Sequence, residues 1–421
     1  LILTASAQSG RVAPTPTPSP SETPAPEAVA SPEAADTKPR FVVDPTAPKY
    51  KLVFQTKYKW QYTSIGTTDV LDIKKTDAAR IVAFVDLLNE AGAEGYRVVS
   101  VTDDNTALLK LDEAQYEYAG YETDSRGDGT RGLVALYGRL GKEGFRLASV
   151  SHLFFGCEIV DSENLLMGAE CLFKDLFLFE RQKGATKPIA HKFLFPRSYD
   201  KWDVEMTAEV RQNLEKGLYP ARVVSKDELL LEQFENGDDR IAGRGAEVQV
   251  VKASHSYWGR DDLSKKVNLL AKQGYRLALI NYQLAVMYRD RANGTPTSYV
   301  FLQVGHRDWM LRRKPKEYEK DLAKLQQGGA VYRMTYPNVQ GDVHRLVFEE
   351  NASTNGKRRE YRILRFELVS TDDKEAKTTS TDLTSEAKAN LMEFNRLVSE
   401  GFEARDLFVT DVACVLLERM R

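Results

Sequence analysis

One junction recurs along the chain: the end of an apolar-striped helix, a glycine, an aromatic residue and an apolar strand. It reads LLNEAGAEGYRVVSV at Leu87–Val101, LGKEGFRLASV at Leu140–Val150, LAKQGYRLALI at Leu270–Ile280 and LVSEGFEARDLFV at Leu397–Val409. A helix that must reverse into a strand commonly needs one left-handed residue at its C-terminus, where glycine carries no Cβ penalty. Gly95, Gly144, Gly274 and Gly401 therefore read as helix stops. Tyr96, Phe145, Tyr275 and Phe402 read as residues that fold back onto the last helical turn and start a core-facing strand. By itself the junction is structural and not an active site.

Two further copies follow the same order. Val210–Phe234 supplies a helix, Gly217 and two strands, and Tyr318–Glu350 supplies a helix, Gly328 and two strands. A first strand precedes each helix: Tyr50, Leu52 and Phe54 alternate in the first copy, and IAHKFLF and SYVFLQV stand upstream of the third and fifth. The predicted fold class is α+β, with about six tandem β-α-β-β repeats, each a small antiparallel-containing sheet with one helix packed on it. The repeats occupy residues 49–114, 115–184, 185–239, 245–297, 298–350 and 357–421. A unit of about 55 residues buries a thin core and is marginal alone. The units are therefore expected to pair into larger sheets, edge to edge or face to face, which also covers edge strands that would otherwise template aggregation.

The first copy resembles a small bacterial family catalogued as domain of unknown function 4177, which pairs an opening strand of the form YKVV with a helix ending L-N-x-x-G-x-E-G-W. Leu88, Asn89, Gly92, Glu94 and Gly95 match, and YKLVF from Tyr50 fits the opening strand. The family's tryptophan is replaced by Tyr96, Phe145, Tyr275 or Phe402, and the later copies keep little beyond the glycine-aromatic pair. The resemblance implies a small α+β fold and no known activity, so it carries over no catalytic residue.

Ten of the chain's 16 prolines precede Lys49, and residues 8–48 form a Pro/Thr/Ser-rich segment. Such a composition cannot bury enough apolar surface to offset chain entropy, so a disordered linker is expected, acting as a spacer. Residues 1–7 end in Ala5-Ser6-Ala7, the small-x-small pattern of a signal-peptide remnant, which points to a secreted or periplasmic protein. No apolar run reaches the ~18 residues of a membrane span, so no transmembrane segment is expected. A net charge of −2 and a pI near 6.3 give no electrostatic case for nucleic acid. Three cysteines are too few for a disulfide framework. An oxidising compartment would permit a Cys157–Cys171 bridge; small buried hydrophobes are the alternative.

His152, His191, His255, His306 and His344 fall in different units, and no metal-ligand spacing, nucleophile elbow or Walker loop is present. No metal and no cofactor is indicated. AGRGAEV at Ala242–Val248 reads as a hinge, DSRGDGT at Asp124–Thr130 as a turn and helix cap, and the basic stretch Arg307–Lys320 as a linker and helix start. The one functional hint is the arginine after the aromatic: Arg97, Arg146 and Arg276. Strand alternation sets it opposite the core-facing ring. Aligned repeats would then line one sheet face with guanidiniums able to grip a small anionic ligand, unless these arginines serve only solubility. Glu403 takes the arginine's place in the last copy. The expected function is a non-enzymatic binding or scaffolding module of the bacterial cell envelope, with an envelope protein or a small anionic ligand as partner. The alternatives are an envelope enzyme with a composite site between repeats and a structural subunit of a larger assembly. A cluster of His, Asp, Glu or Arg in one deep interunit pocket would favour the enzyme.

Overall fold

The computed structural model describes residues 41–42, 44, 46–54, 84–102, 106–124, 129–160, 168–195, 201–224, 228–233, 246–253, 262–289, 294–307, 311–312, 315–337, 343–350, 358–366, 385–409 and 413–421. Outside them lie residues 1–40, which carry the expected signal remnant and most of the linker. Parts of the DSRGDGT turn, the Ala242–Val248 hinge and the basic stretch around Trp309 lie outside them as well.

Six β-α-β-β units follow one another. The first comprises β1 (Tyr50–Phe54), a helix α1 over 84–93, β2 (Tyr96–Val101) and β3 (Thr106–Leu111). The second comprises β4 (Tyr116–Asp124), α2 (Gly129–Leu140), β5 (Arg146–Val160) and β6 (Gly168–Gln182). The third comprises β7 (His191–Leu194), α3 (Trp202–Leu214), β8 (Leu218–Val223) and β9 (Leu229–Gln233). The fourth comprises β10 (Glu247–Lys252), α4 (Asp262–Lys272), β11 (Arg276–Ile280) and β12 (Leu284–Arg289). The fifth has β13 (Ser298–Arg307), a two-residue β14 (Leu311–Arg312), α5 (Pro315–Gln327), β15 (Val331–Pro337) and β16 (Val343–Glu350). The sixth has β17 (Arg359–Phe366), α6 (Ser385–Ser399), β18 (Glu403–Val409) and β19 (Ala413–Met420).

In every unit the last strand is central, antiparallel to both the strand before the helix and the strand after it. The helix therefore crosses over the central strand and joins the two outer ones. The expected helix stops have left-handed backbones, with φ between +69° and +95°. One assignment is corrected: in the fifth unit the left-handed residue is Gly329, and Gly328 is still in the turn that closes α5. Two consecutive glycines stand there, and the second is the one from which the strand departs.

The central strands read as continuous apolar runs, ALL, LFLF, LLL, AVM, LVF and VLL, because both of their faces are covered. Leu109 of β3 packs against α1, and Leu108 packs against α6. The same alternation holds in β6, where Phe177 and Phe179 face α2 while Leu176 and Leu178 face α1. Each helix is thus shared between its own sheet and the sheet of the following unit. The shared cores run first–second, second–third, third–fourth, fourth–fifth and fifth–sixth. The last core joins Phe394, Leu397 and Phe402 of the sixth unit to Tyr50 and Leu108 of the first. The repeats close into a ring of alternating sheets and helices.

The expected pairing into larger sheets accordingly takes another form. Among the described residues the sheets remain separate ladders, and what joins neighbours is a helix inserted between them. The linker is also shorter than its composition suggests, since the compact body starts at Phe41. The Phe41 ring lies over Gly95, and the Tyr96 hydroxyl donates to the Pro48 carbonyl at 2.7 Å.

Candidate functional site

The second strand of each unit carries a bulge at one equivalent position. Counting from the capping glycine, the fourth residue is left over from the ladder: Val99, Ala148, Ala221, Ala278, Arg333 and Arg405. A bulge breaks the pairing, sharpens the local twist and re-aims the side chains beyond it. Residues at and beyond these bulges, from all six units, line one cavity of about 370 Å³. The next residue round the ring is Ser100, Ser149, Arg222, Leu279, Met334 and Asp406, and all six face the cavity.

Neighbouring units are locked together at the residue just before the bulge, whose N–H is freed from the ladder. A tyrosine on the first strand of the following unit accepts it. Val98 donates to the Tyr118 hydroxyl at 2.9 Å, Leu277 to Tyr299 at 2.8 Å and Tyr332 to Tyr361 at 2.9 Å. Across the closing seam Tyr50 sets its hydroxyl beside the Ala404 backbone. The two exceptions are compensated. In the second unit Leu147 donates to Tyr137 of its own α2 at 3.3 Å, and the third unit has His191 at the tyrosine's register. In the third unit the residue is Pro220, which has no N–H, and the fourth unit has Val248 there. Asn89 and Asn268 add side-chain amide pairs to the backbones of Tyr118 and Tyr299, so each helix also grips the next sheet.

The arginines singled out from sequence take part in the same interfaces. Arg97 reaches Glu180 of the second unit at 2.7 Å, and Arg276 reaches Glu349 of the fifth at 2.5 Å. Both carboxylates are buried. Arg333 is a second partner of Glu349. Arg97 and Arg146 come together with Arg181, Lys187 and Glu180 in a rim cleft of about 310 Å³; Arg276 is not among the residues lining it. Where the sixth unit meets the first, the polarity reverses: Glu403 stands in the arginine's place and pairs with Lys49 at 3.3 Å. Burial pushes the Glu403 carboxyl up, but Arg405, Lys49 and Lys110 together hold it below its ordinary value.

Inside the cavity Asp406 is enclosed by donors. It accepts the Tyr332 hydroxyl at 2.5 Å and the Leu407 N–H at 2.8 Å. Burial outweighs these bonds and raises its pKa. Arg222 donates to the Ala148 carbonyl of the second unit, and Ser100 donates to the Leu407 carbonyl at 3.1 Å. His344 also lines the wall. Between the second and third units, Glu232 is 3% exposed and its Oε1 has no hydrogen-bond partner. Burial pushes its carboxyl up to about 7, against a bond from the Leu147 backbone.

Tyr96, Phe145, Tyr275 and Phe402 are all buried. The β5–β6 register sets Cys157 directly opposite Cys171; their side chains, and that of His152, lie outside the described ones. Cys414 is a buried thiol that is in no disulfide. Sequence reading missed the interunit tyrosines, although Y stands in the first strand of four units. It also missed the cavity residues, whose only common signal is a fixed distance from the capping glycine. No protein-family profile, curated protein or solved structure matches the chain.

Proposed function

We propose that the protein is a non-enzymatic binding module of the cell envelope, carried on its Pro/Thr/Ser-rich tail, with the central cavity as its receptor site. The observation that carries this reading is the cavity itself, one concave space of about 370 Å³ to which every unit contributes. That size and a wall divided between apolar and polar side chains suit a small ligand. Three of the polar side chains hold units together: Asp406 with Tyr332, Arg222 with Ala148, Ser100 with Leu407. This favours a fixed receptor over acid–base chemistry. The extracytoplasmic placement is supported by the Ala5-Ser6-Ala7 pattern and the tail's composition.

A thermal-shift screen of small polar and amphipathic compounds tests the binding reading, with Val99→Trp as the blocked control. Val99 lines the cavity and is 39% exposed, so a larger side chain there fills space without displacing buried atoms. Compounds that stabilise the wild type and lose their effect in Val99→Trp support the receptor. Stabilisation unchanged by the block would place binding elsewhere. The enzyme alternative draws on Arg222, His344 and Asp406, which share the cavity wall; chemical conversion of a bound compound would favour it. Mass spectrometry of the native N-terminus, with cell fractionation, tests the localisation.

A further inference from the structure

The second unit departs from the other five in the length of two strands. Its β5 and β6 have 15 residues each, whereas the equivalents of β5 in the other units, β2, β8, β11, β15 and β18, have five to seven. β5 lines the central cavity with Ala148, Ser149 and Val150, then keeps pairing with β6 as far as Val160 opposite Gly168. Among the described residues no other unit carries such an arm.

The far part of this arm is weak by itself. β4 accompanies β6 only as far as Asp124 opposite Lys174, so among the described residues the ladder beyond has two strands. A two-stranded ribbon is marginal in water. A bulge interrupts it between Phe154 and Gly156. Further out Glu158 stands opposite Glu170, and like charges at a cross-strand pair repel.

Between the bulge and that acidic pair, the register sets Cys157 opposite Cys171. Opposed residues of an antiparallel ladder have Cα atoms about 4.5 or 5.5 Å apart, and both values fall inside the roughly 4.4–6.8 Å that a disulfide spans. Such residues also share one face of the sheet. Bridging this pair therefore asks for no change of register. Cys414 is placed differently: it is buried in the core shared by the fifth and sixth units, with Arg365 and Phe408 as its ladder partners.

We propose that Cys157 and Cys171 form a cross-strand disulfide that staples the arm. The oxidant is a thiol-derived disulfide such as glutathione disulfide. One cysteine thiolate attacks its S–S bond and releases one thiol; the other attacks the mixed disulfide and releases the second. The protein gives up two electrons and two protons, its own S–S bond forms, and the oxidant leaves as two thiols. The bridge closes the segment from Cys157 to Cys171 and restricts the open states of the arm. Its presence in cells rests on the extracytoplasmic reading, because a reducing cytosol keeps such pairs as thiols.

The test compares full-length protein reduced and then re-equilibrated with glutathione disulfide. Samples are unfolded, alkylated and mapped by mass spectrometry without reduction, and hydrogen exchange is followed on folded aliquots. A peptide pair linked through Cys157 and Cys171 is expected, with Cys414 alkylated. Amides of 156–160 and 168–172 should exchange at least about tenfold more slowly in the oxidised protein than in the reduced one. Cys157→Ser and Cys171→Ser should exchange there at the reduced wild-type rate whatever the oxidant. Reduced wild type carries no substitution, so the central comparison does not depend on how the variants fold. The proposal is overturned if both cysteines remain alkylatable after oxidation, if either is linked to Cys414 or only to glutathione, or if the arm exchanges equally in both states. Mapping protein taken directly from its native cells separates the two readings. A bridge that forms with glutathione disulfide but is absent in cells would sustain the pair and overturn the extracytoplasmic placement.

Discussion

A tyrosine hydroxyl that accepts one backbone N–H is a small device, yet three of the six interfaces in this ring use it at the same place, and a fourth sets Tyr50 there. Leu277 lies just before a bulge, is buried, and donates to Tyr299 of the next unit. Removing the acceptor strands that N–H, and a buried unsatisfied donor costs about 1–3 kcal/mol. Tyr299→Phe should therefore lower stability by roughly that amount in denaturant melts, whereas Val248→Tyr should gain nothing, because Pro220 has no N–H to offer. The capping glycines predict a second contrast. A Cβ on Gly274 would sit 2.6 Å from the Gly294 carbonyl oxygen, whereas one on Gly217 meets nothing within 4 Å. Gly217→Ala should cost about 1 kcal/mol for its left-handed backbone, and Gly274→Ala clearly more. Glu232 predicts a pH dependence. Its folded-state pKa of about 7 lies above the ordinary 4.5, so the folded protein holds the proton more tightly. The contribution is complete below about pH 4.5 and is lost as pH rises through 7, on the order of 3 kcal/mol. Melts from pH 4.5 to 8 should show this decline, and Glu232→Gln should flatten it.

At the scale of elements, the helix-glycine-strand junction was legible because it is local: one residue type answers one backbone need. The interfaces were not, because they pair residues whose spacing depends on loops of irregular length. Three residues of the first unit's helix end illustrate the difference. Gly95 can be read from its neighbours alone, but Asn89 matters because its amide meets the Tyr118 backbone. Gly92 matters because a Cβ there would meet the Tyr116 carbonyl. The arginines do stand opposite the aromatic, as strand alternation requires, but that face meets the neighbouring unit. The apolar runs of the central strands carried a usable signal, since a strand without alternation is covered on both faces. The N-terminal boundary shows the opposite failure. Proline-rich composition extended the linker to Pro48, while a single aromatic, Phe41, anchors the last residues of that stretch on the fold. A chain beginning at Lys49 should lose roughly 1–2 kcal/mol of burial and hydrogen bonding relative to one beginning at Phe41, seen as a lower melting temperature. Removing residues 1–40 should leave that temperature unchanged.

At the scale of the molecule, closure explains why the repeats differ as they do. A helix shared between two sheets leaves an uncovered face at each end of an open array, and here each end covers the other. The reversed charge at Glu403 gives the closing seam a polarity unlike that of the Arg97–Glu180 and Arg276–Glu349 seams, which favours joining the sixth unit to the first. Closure also creates the cavity, since only a ring brings six second strands round one space. The most direct test is zero-length carbodiimide crosslinking at low protein concentration, read by mass spectrometry on the monomer band. Lys49 and Glu403 are 354 residues apart in sequence and 3.3 Å apart in the ring, so an intramolecular Lys49–Glu403 crosslink is expected alongside the within-unit control Lys51–Glu94. Recovery of the control without any Lys49–Glu403 product would contradict closure, and with it the central cavity.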